Sequence, residues 1–414
     1  MPSAVDIAGF AAEVSYEELP DEVRAAAKRR VLDTVGVALA SLDVEPTGGI
    51  RRAVASRSDA AESRLWGSDR QAAPADAAMY NAALTEAGNR ATYLAPTLSS
   101  AAAPLPAVLA AAEVRSAPGE DLLAGLATAH EVHGELAWNA PLDGFHPATH
   151  AAIAAAAGAG RAMGFPVDKL TSAIGLAASR GTLGIEERPF DPIAVGSAAR
   201  SGLEACLLAE GGVVGPDSFS AEGGWTDLVG EFDLDFDPGC ERVRDAAIRP
   251  HAGHPHAQAA TEAALDVAED TAFDPADIDD VSVETYAEAV PEIDARAIAA
   301  ALVDRDVTVH PGERADLRPV ADAVEITSTD YFDERVGIGE LPSRVTVTAR
   351  DGAKHEAEVQ WPTGHPAKPA SWGVVEEKFH VLADAYDAER RTAIVDTVRS
   401  LEAETAAELS RLLD

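Results

Sequence analysis

The chain has 414 residues; 47% are hydrophobic but only 5% are aromatic, so a sizeable core must be built from aliphatic side chains. Acidic residues outnumber basic ones by 70 to 33, which gives a formal net charge of −37. Such a surface repels the phosphates of nucleic acids, and we therefore expect no nucleic-acid partner.

The acidic excess is spread along the chain rather than collected in a tail. We expect a halophilic protein, because molar salt shortens the screening length to roughly 3 Å and lets a dense carboxylate surface stay compact. An ordinary acidic protein is the alternative.

No run of 18 apolar residues occurs, and the N-terminus is acidic rather than a basic leader. These features predict a cytoplasmic protein that does not bind a membrane.

Cys206 and Cys240 are the two cysteines, and neither belongs to a CxxC motif. This argues against a disulfide framework, a structural zinc and a protein-held iron–sulfur cluster, which usually needs four thiolates.

The glycines of GVVGPDSF and AEGGW lack the strand–GxGxxG–helix setting of a nucleotide site. No GxSxG motif is present, so a serine hydrolase is not expected either.

The first 245 residues predict one helix after another. In the segment EELPDEVRAAAKRRVLDTVGVALAS, apolar residues recur at helical spacing, namely Val23, Ala27, Val31, Val35 and Leu39. Several later helices are rich in alanine and glycine, which allow close approach of neighbouring backbones. We therefore expect a tightly packed all-helical domain.

The pattern changes near residue 249. Alternation at Val281, Val283 and Thr285 predicts a strand, and SRVTVTAR-DG-AKHEAEVQW predicts a hairpin around Asp351-Gly352. Helical periodicity then returns to the C-terminus. The predicted fold class is mostly α: a helical domain of residues 1–248 plus 383–414, with a smaller α/β domain, 249–382, inserted into it.

The segment LDGFHPATHAAIAAAAGAGRAMG, residues 142–164, places two histidines at the start of an alanine-rich helix. His146 and His150 could form an i, i+4 metal pair, but no third ligand is identifiable. They could instead be one catalytic base at a helix start, or two surface side chains. We expect His146 to lie at or before the first turn and to face the interdomain cleft, and His150 to point into the helical domain or its dimer contact, with no metal joining them.

Several segments together resemble the MmgE/PrpD family, and the resemblance covers nearly the whole chain. They are LPDEVRAAAKRRVLDTVGVALAS, SRLWG, AAMYNAAL, PLPAVLAAAE, GFH, GSAARSGLEACLLAEGGVVGP, PHAGHPHAQAATEAAL and WPTGHPAKPASWGVVEEKF. The family includes 2-methylcitrate dehydratase, cis-aconitate decarboxylase and an iminodisuccinate epimerase. The resemblance implies a large helical domain, a smaller α/β lid, an active site between them, a homodimer, and no metal or organic cofactor.

The site residues depart from the family pattern. Where relatives read roughly N-G-x-x-x-H-x-x-D-x-D-D-T, this chain begins at Asn81 and has Glu86 in place of the histidine. The aspartate and threonine positions hold Asn89, Ala91, Thr92 and Tyr93. The usual lysine position holds Asp191, and the tyrosine expected near ARAIAAAL is absent.

The residues that match the family site, or stand in its segments, are the candidates. His146, His256 and Tyr93 are the catalytic candidates, since an imidazole can take the proton α to a carboxylate or return one to a leaving hydroxyl. A second set consists of substrate-binding candidates: Asn89, Arg90, Thr92, Arg188, Asp191 and His254. Arg90 could clamp a carboxylate with both arms of its guanidinium group.

Two classes of function follow. The first is a cofactor-free lyase acting on a small di- or tricarboxylate, most simply a hydro-lyase similar to 2-methylcitrate dehydratase. A decarboxylase or epimerase acting on a related acid is the alternative chemistry. The second class is a family member that has lost its chemistry and serves as a ligand-binding or partner subunit.

Overall fold

The computed structural model describes residues 3–57, 62–88, 90–95, 97, 99–140, 142–182, 184, 190–270, 275–337 and 339–414. The chain divides into two compact units. Unit 1 comprises Met1–Ala246 with Ala383–Asp414, and unit 2 comprises Ala247–Leu382. The protein is mostly α, as expected from the sequence.

Unit 1 is helical. Its α-helices in the described ranges are α1 (Ala4–Glu13), α2 (Asp21–Leu39), α3 (Thr47–Ala55), α4 (Pro74–Ala87), α5 (Pro104–Arg115), α6 (Gly119–Asn139), α7 (Ala148–Ala162), α8 (Val167–Ala178), α9 (Asp191–Glu210), α10 (Trp225–Val229), α16 (Ala388–Arg399) and α17 (Ala406–Leu412). Two short antiparallel pairs accompany them, β1 (Ser63–Arg64) with β2 (Gln71–Ala72), and β3 (Tyr93–Leu94) with β4 (Ser99–Ser100). The strand β5 (Ala246–Ala247) follows.

Small residues bring the central helices of unit 1 together. A Cβ atom at Gly158 of α7 would lie 2.4 Å from the carbonyl oxygen of Gly125 in α6, and one at Gly202 of α9 would lie 2.6 Å from the carbonyl oxygen of Ala152. Real Cβ atoms do not approach backbone oxygens so closely, so these crossings require glycine. The alanine-rich segments therefore form a close-packed interior, as their composition predicts.

Unit 2 contains one four-stranded sheet in the order β7-β6-β8-β9. Its strands are β6 (Ile278–Thr285), β7 (Val324–Ser328), β8 (Ser343–Ala349) and β9 (Lys354–Val359). The helices are α11 (Gln258–Asp270), α12 (Ala295–Asp304), α13 (Arg318–Ala321), α14 (Asp330–Val336) and α15 (Trp372–Leu382).

The predicted hairpin is confirmed. Strands β8 and β9 pair antiparallel, and Gly352 between them has φ +88°, the left-handed conformation that a tight turn of this kind requires. The alternating pattern of β6 buries Val281 and Val283 in the core of unit 2. The parallel pairing of β6 with β7 was not expected from the sequence.

Among the described residues, no helix combines the length and apolar character needed to cross a membrane.

Candidate active site

His146 lies immediately before α7, as the sequence predicts. The first residue of α7 is Ala148, whose backbone N–H donates to Nδ1 of His146 over 3.1 Å. The backbone N–H of His146 in turn donates to the carbonyl oxygen of Thr182 over 2.8 Å. The imidazole thus caps the helix and is anchored at both its ring and its backbone.

The other ring nitrogen of His146 faces a carboxylate. Its Nε2 lies 3.3 Å from Oδ1 of Asp191, the first residue of α9. Because Nδ1 accepts the N–H of Ala148, the ring proton resides on Nε2 and points at Asp191. His146 is therefore a hydrogen-bond donor in this geometry, and the group able to accept a proton is Asp191, whose side chain is 40% exposed.

Helices α7 and α9 run parallel and begin at the same end of unit 1. Asp191 meets His146 at that end, and further along both helices the Sγ of Cys206 donates to the carbonyl oxygen of Ala156 over 3.2 Å. Two parallel helix N-termini side by side present backbone N–H groups and partial positive charge in one direction. This end of the bundle favours an anionic ligand.

Helix α4 runs in the opposite direction, so its C-terminus reaches the same end. Arg200 of α9 pairs with Asp76 near the start of α4 at 3.4 Å, while a Cβ at Gly196 would lie 2.7 Å from the carbonyl oxygen of Met79. Residues thus pair in opposite order along the two helices. Arg90, three residues beyond the end of α4, consequently belongs to the end of the bundle at which α7 and α9 begin.

The guanidinium group of Arg90 is partly buried and has no acidic partner among the described residues. Its Nε is shielded from solvent and has no hydrogen-bond partner among the described residues. Burial lowers the pKa of its guanidinium group. A half-buried guanidinium in this state is suited to bind a carboxylate supplied by a ligand.

The remaining candidates of this segment are less accessible. Thr92 and Tyr93 are 2% and 3% exposed, and Tyr93 lies near Arg30, whose pKa is lowered by burial to about 10. A role for either side chain in catalysis or binding stays a prediction. Asn89 and Arg188, also predicted to bind substrate, lie outside the described residues.

His150 points into unit 1, as expected. It is 5% exposed, its Nε2 donates to the carbonyl oxygen of Ala140 over 2.7 Å, and its ring packs against Trp225 with centroids 5.7 Å apart. Burial lowers the pKa of His150 and holds the ring neutral. His150 thus joins the end of α6 to the start of α7 and has a structural role.

Unit 2 holds the second group of candidates. The rings of His254 and His256 stack with centroids 5.0 Å apart, and Nδ1 of His256 hydrogen-bonds the hydroxyl of Tyr286. Glu292 lies 3.9 Å from His254. Burial lowers the pKa of His256, while the charges of Glu292 and Glu288 oppose this shift. A role for this pair in catalysis or binding stays a prediction.

Two features of these groups escaped the sequence interpretation. Tyr286 follows strand β6 directly rather than occupying a helix, so its contact with His256 depends on the fold. The expectation that Asp191 binds substrate stays a prediction, and the structure adds that its carboxylate faces Nε2 of His146. The only sign of this contact in the sequence was that Asp191 occupies the position of the family lysine.

Within the described ranges, no group of three His, Cys, Asp or Glu side chains is arranged to hold a metal ion.

Comparison with known proteins covers both units. The family model of the MmgE/PrpD N-terminal domain matches residues 5–236, and that of the MmgE/PrpD C-terminal domain matches residues 251–403. The search of curated proteins finds no match.

Proposed function

The chain belongs to the MmgE/PrpD family, whose members are generally lyase-type enzymes, and from this premise we propose that it is a lyase acting on a small di- or tricarboxylate. A hydro-lyase reaction similar to that of 2-methylcitrate dehydratase is the first choice. The observation that carries the proposal is the Asp191–His146 pair at the end of unit 1 where two helix N-termini meet.

In the proposed reaction, Asp191 removes a proton from the carbon next to a substrate carboxylate. The C–H electron pair forms a C=C bond as the C–O bond on the neighbouring carbon breaks, and the departing hydroxyl takes the proton back from Asp191 and leaves as water. As Asp191 takes up the proton it releases the Nε2–H of His146, which donates instead to the substrate carboxylate and stabilises the negative charge that develops on its oxygens. Arg90 binds a carboxylate of the substrate. Local cations and helix N-termini are needed because a net charge of −37 otherwise repels an anionic substrate.

Proton removal at this carbon is also the first step of epimerisation, and it can accompany decarboxylation of a related acid. These reactions are the alternatives, and the product distinguishes them. Loss of water leaves an unsaturated acid, decarboxylation releases carbon dioxide, and epimerisation inverts one centre.

A non-catalytic role is the second candidate, and one observation favours it. His310 repeats the geometry of His146: its Nδ1 accepts the N–H of Gly312 over 3.1 Å, and its Nε2 lies 3.0 Å from Asp294. Because His310 is 40% exposed and does not cap an α-helix, this arrangement also occurs as a structural device. The His310 pair therefore supplies a matched control.

The test is turnover by purified protein in molar potassium chloride with 2-methylcitrate, citrate, cis-aconitate and iminodisuccinate, with products identified by NMR. We expect one substrate to react, His146→Ala to lower the rate about 100-fold or more, and His310→Ala to leave it unchanged. Absence of turnover with all four acids, or equal rates in wild type and His146→Ala, would favour the non-catalytic role.

A further inference from the structure

A second basic site lies elsewhere in unit 1. Three arginines and a serine line one pocket of about 260 Å³, here called the arginine pocket; they are Arg51, Arg52, Ser68 and Arg70. The first two lie on α3, and the other two lie on the turn that joins β1 to β2. The pocket is thus formed by two separate elements that bring like charges together.

The arginines of this pocket have no carboxylate partner among the described residues. Within the described ranges, no Asp or Glu oxygen lies within 4 Å of a guanidinium nitrogen of Arg51, Arg52 or Arg70. Other arginines of the same unit are paired, such as Arg64 with Glu113 at 2.6 Å. In a chain with 70 acidic residues, three arginines that surround one concavity and have no acidic partner in the part of the chain that the structure describes form a local reversal of charge.

The turn that carries two of the pocket residues is held rigidly. Asn81 of α4 accepts the backbone N–H of Trp66 over 3.0 Å and donates to the carbonyl oxygen of Arg64 over 2.9 Å. Gly67 has φ +69° and donates its N–H to the carbonyl oxygen of Leu413. Substitution at Gly67 would place a Cβ against Leu42, so the conformation of the turn is specified.

The donor groups point to the class of ligand. Ser68 Oγ accepts the N–H of Arg70 over 3.2 Å, and this leaves its O–H to donate. A guanidinium group forms paired hydrogen bonds with oxyanions, and three such groups match an anion with three or more oxygens better than a planar carboxylate. The mutual repulsion of three cations is relieved by an anion of charge −2 or more.

We propose that the arginine pocket binds the phosphate or pyrophosphate group of a small phosphorylated ligand. The site is distinct from the candidate active site. Burial raises the pKa of Tyr80 and the charge of nearby Arg51 opposes this rise, so Arg51 lies beside Tyr80, which precedes the end of α4 by seven residues. At 1.5 Å per residue this is about 10 Å along the helix.

The test is calorimetric titration of the full chain with pyrophosphate, inorganic phosphate and citrate at one fixed potassium chloride concentration. Arg52→Ala and Arg70→Ala remove exposed side chains, and Arg350→Ala removes an exposed arginine of unit 2 as a charge-matched control. We expect saturable binding of pyrophosphate, weakened about tenfold or more by each pocket variant and unchanged by the control.

Each other outcome overturns the proposal. Absence of saturable binding excludes the site, and equal weakening in all three variants shows a general effect of net charge. Tighter binding of citrate than of pyrophosphate would assign the pocket to carboxylates. Loss of a dimer in the pocket variants, without phosphate binding by the wild type, would mean that acidic groups of a second copy occupy it. Unchanged thermal midpoints of the variants establish that they remain folded.

Discussion

The crossing of α6 and α7 offers a direct test of the packing that holds the candidate site. The substitution Gly158→Ala adds one methyl group where α7 contacts α6. That Cβ would lie 2.4 Å from the carbonyl oxygen of Gly125 and 2.7 Å from the Cβ of Ala129. Neither atom belongs to a flexible side chain, so the two helices must move apart.

The expected cost follows from two opposing effects. Alanine is favoured over glycine within a helix by about 1 kcal/mol. Overpacking of a rigid interior costs about 3 kcal/mol when backbone must move. The net result is a loss of about 2 kcal/mol in the free energy of unfolding. Gly9→Ala in α1 is the control, because a Cβ there has no heavy atom within 4 Å; it should gain about 0.5–1 kcal/mol.

The assay is urea unfolding followed by circular dichroism at fixed potassium chloride concentration. Gly158→Ala should shift the midpoint to lower urea and Gly9→Ala to higher urea, so the two variants differ in sign. If Gly158→Ala proved as stable as wild type or more so, the close crossing of α6 and α7 would be refuted.

Three further outcomes follow from charge and burial. Burial lowers the pKa of His130 from 6.5 to about 3, so between these values only the unfolded state binds this proton. The contribution of His130 to the free energy of unfolding should therefore fall on acidification by about 1.4 kcal/mol per pH unit. His130→Gln should remove this contribution from the slope of urea midpoint against pH. With a net charge of −37, the thermal midpoint should rise markedly from dilute buffer to molar potassium chloride, and a flat response would contradict the halophilic expectation. His150→Ala should lower the free energy of unfolding by about 2–4 kcal/mol, because the carbonyl of Ala140 loses its donor and a cavity forms, while turnover of the folded fraction stays unchanged.

Much of the secondary structure was predictable because it depends on local periodicity. Val23, Val31 and Val35 of α2 are all buried as their spacing indicates. Strand β7 was missed, since its five residues are half-buried or exposed and show no apolar alternation. Its pairing with β6 depends on distant parts of the chain, which no short pattern contains.

The position of His146 was predictable from the sequence, but the contacts of the candidate residues were not. The sequence predicted His146 at the helix start, but it could not show which ring nitrogen the Ala148 N–H occupies. That hydrogen bond fixes the tautomer and is the basis for the proposal that Asp191 is the proton acceptor. Likewise, Arg90 reaches the same end as α7 and α9 only because α4 runs antiparallel to α9, which is a property of the assembled helices.

The central claim is that Asp191 removes the α-proton while His146 donates a hydrogen bond. The measurement is exchange of the protons next to a carboxylate of the reacting acid, followed by NMR in deuterium oxide with molar potassium chloride. Wild type and His310→Ala should exchange these protons at equal rates, and Asp191→Asn should lower the rate about 100-fold or more, because the amide cannot accept the proton. Exchange by Asp191→Asn at the wild-type rate would contradict the account.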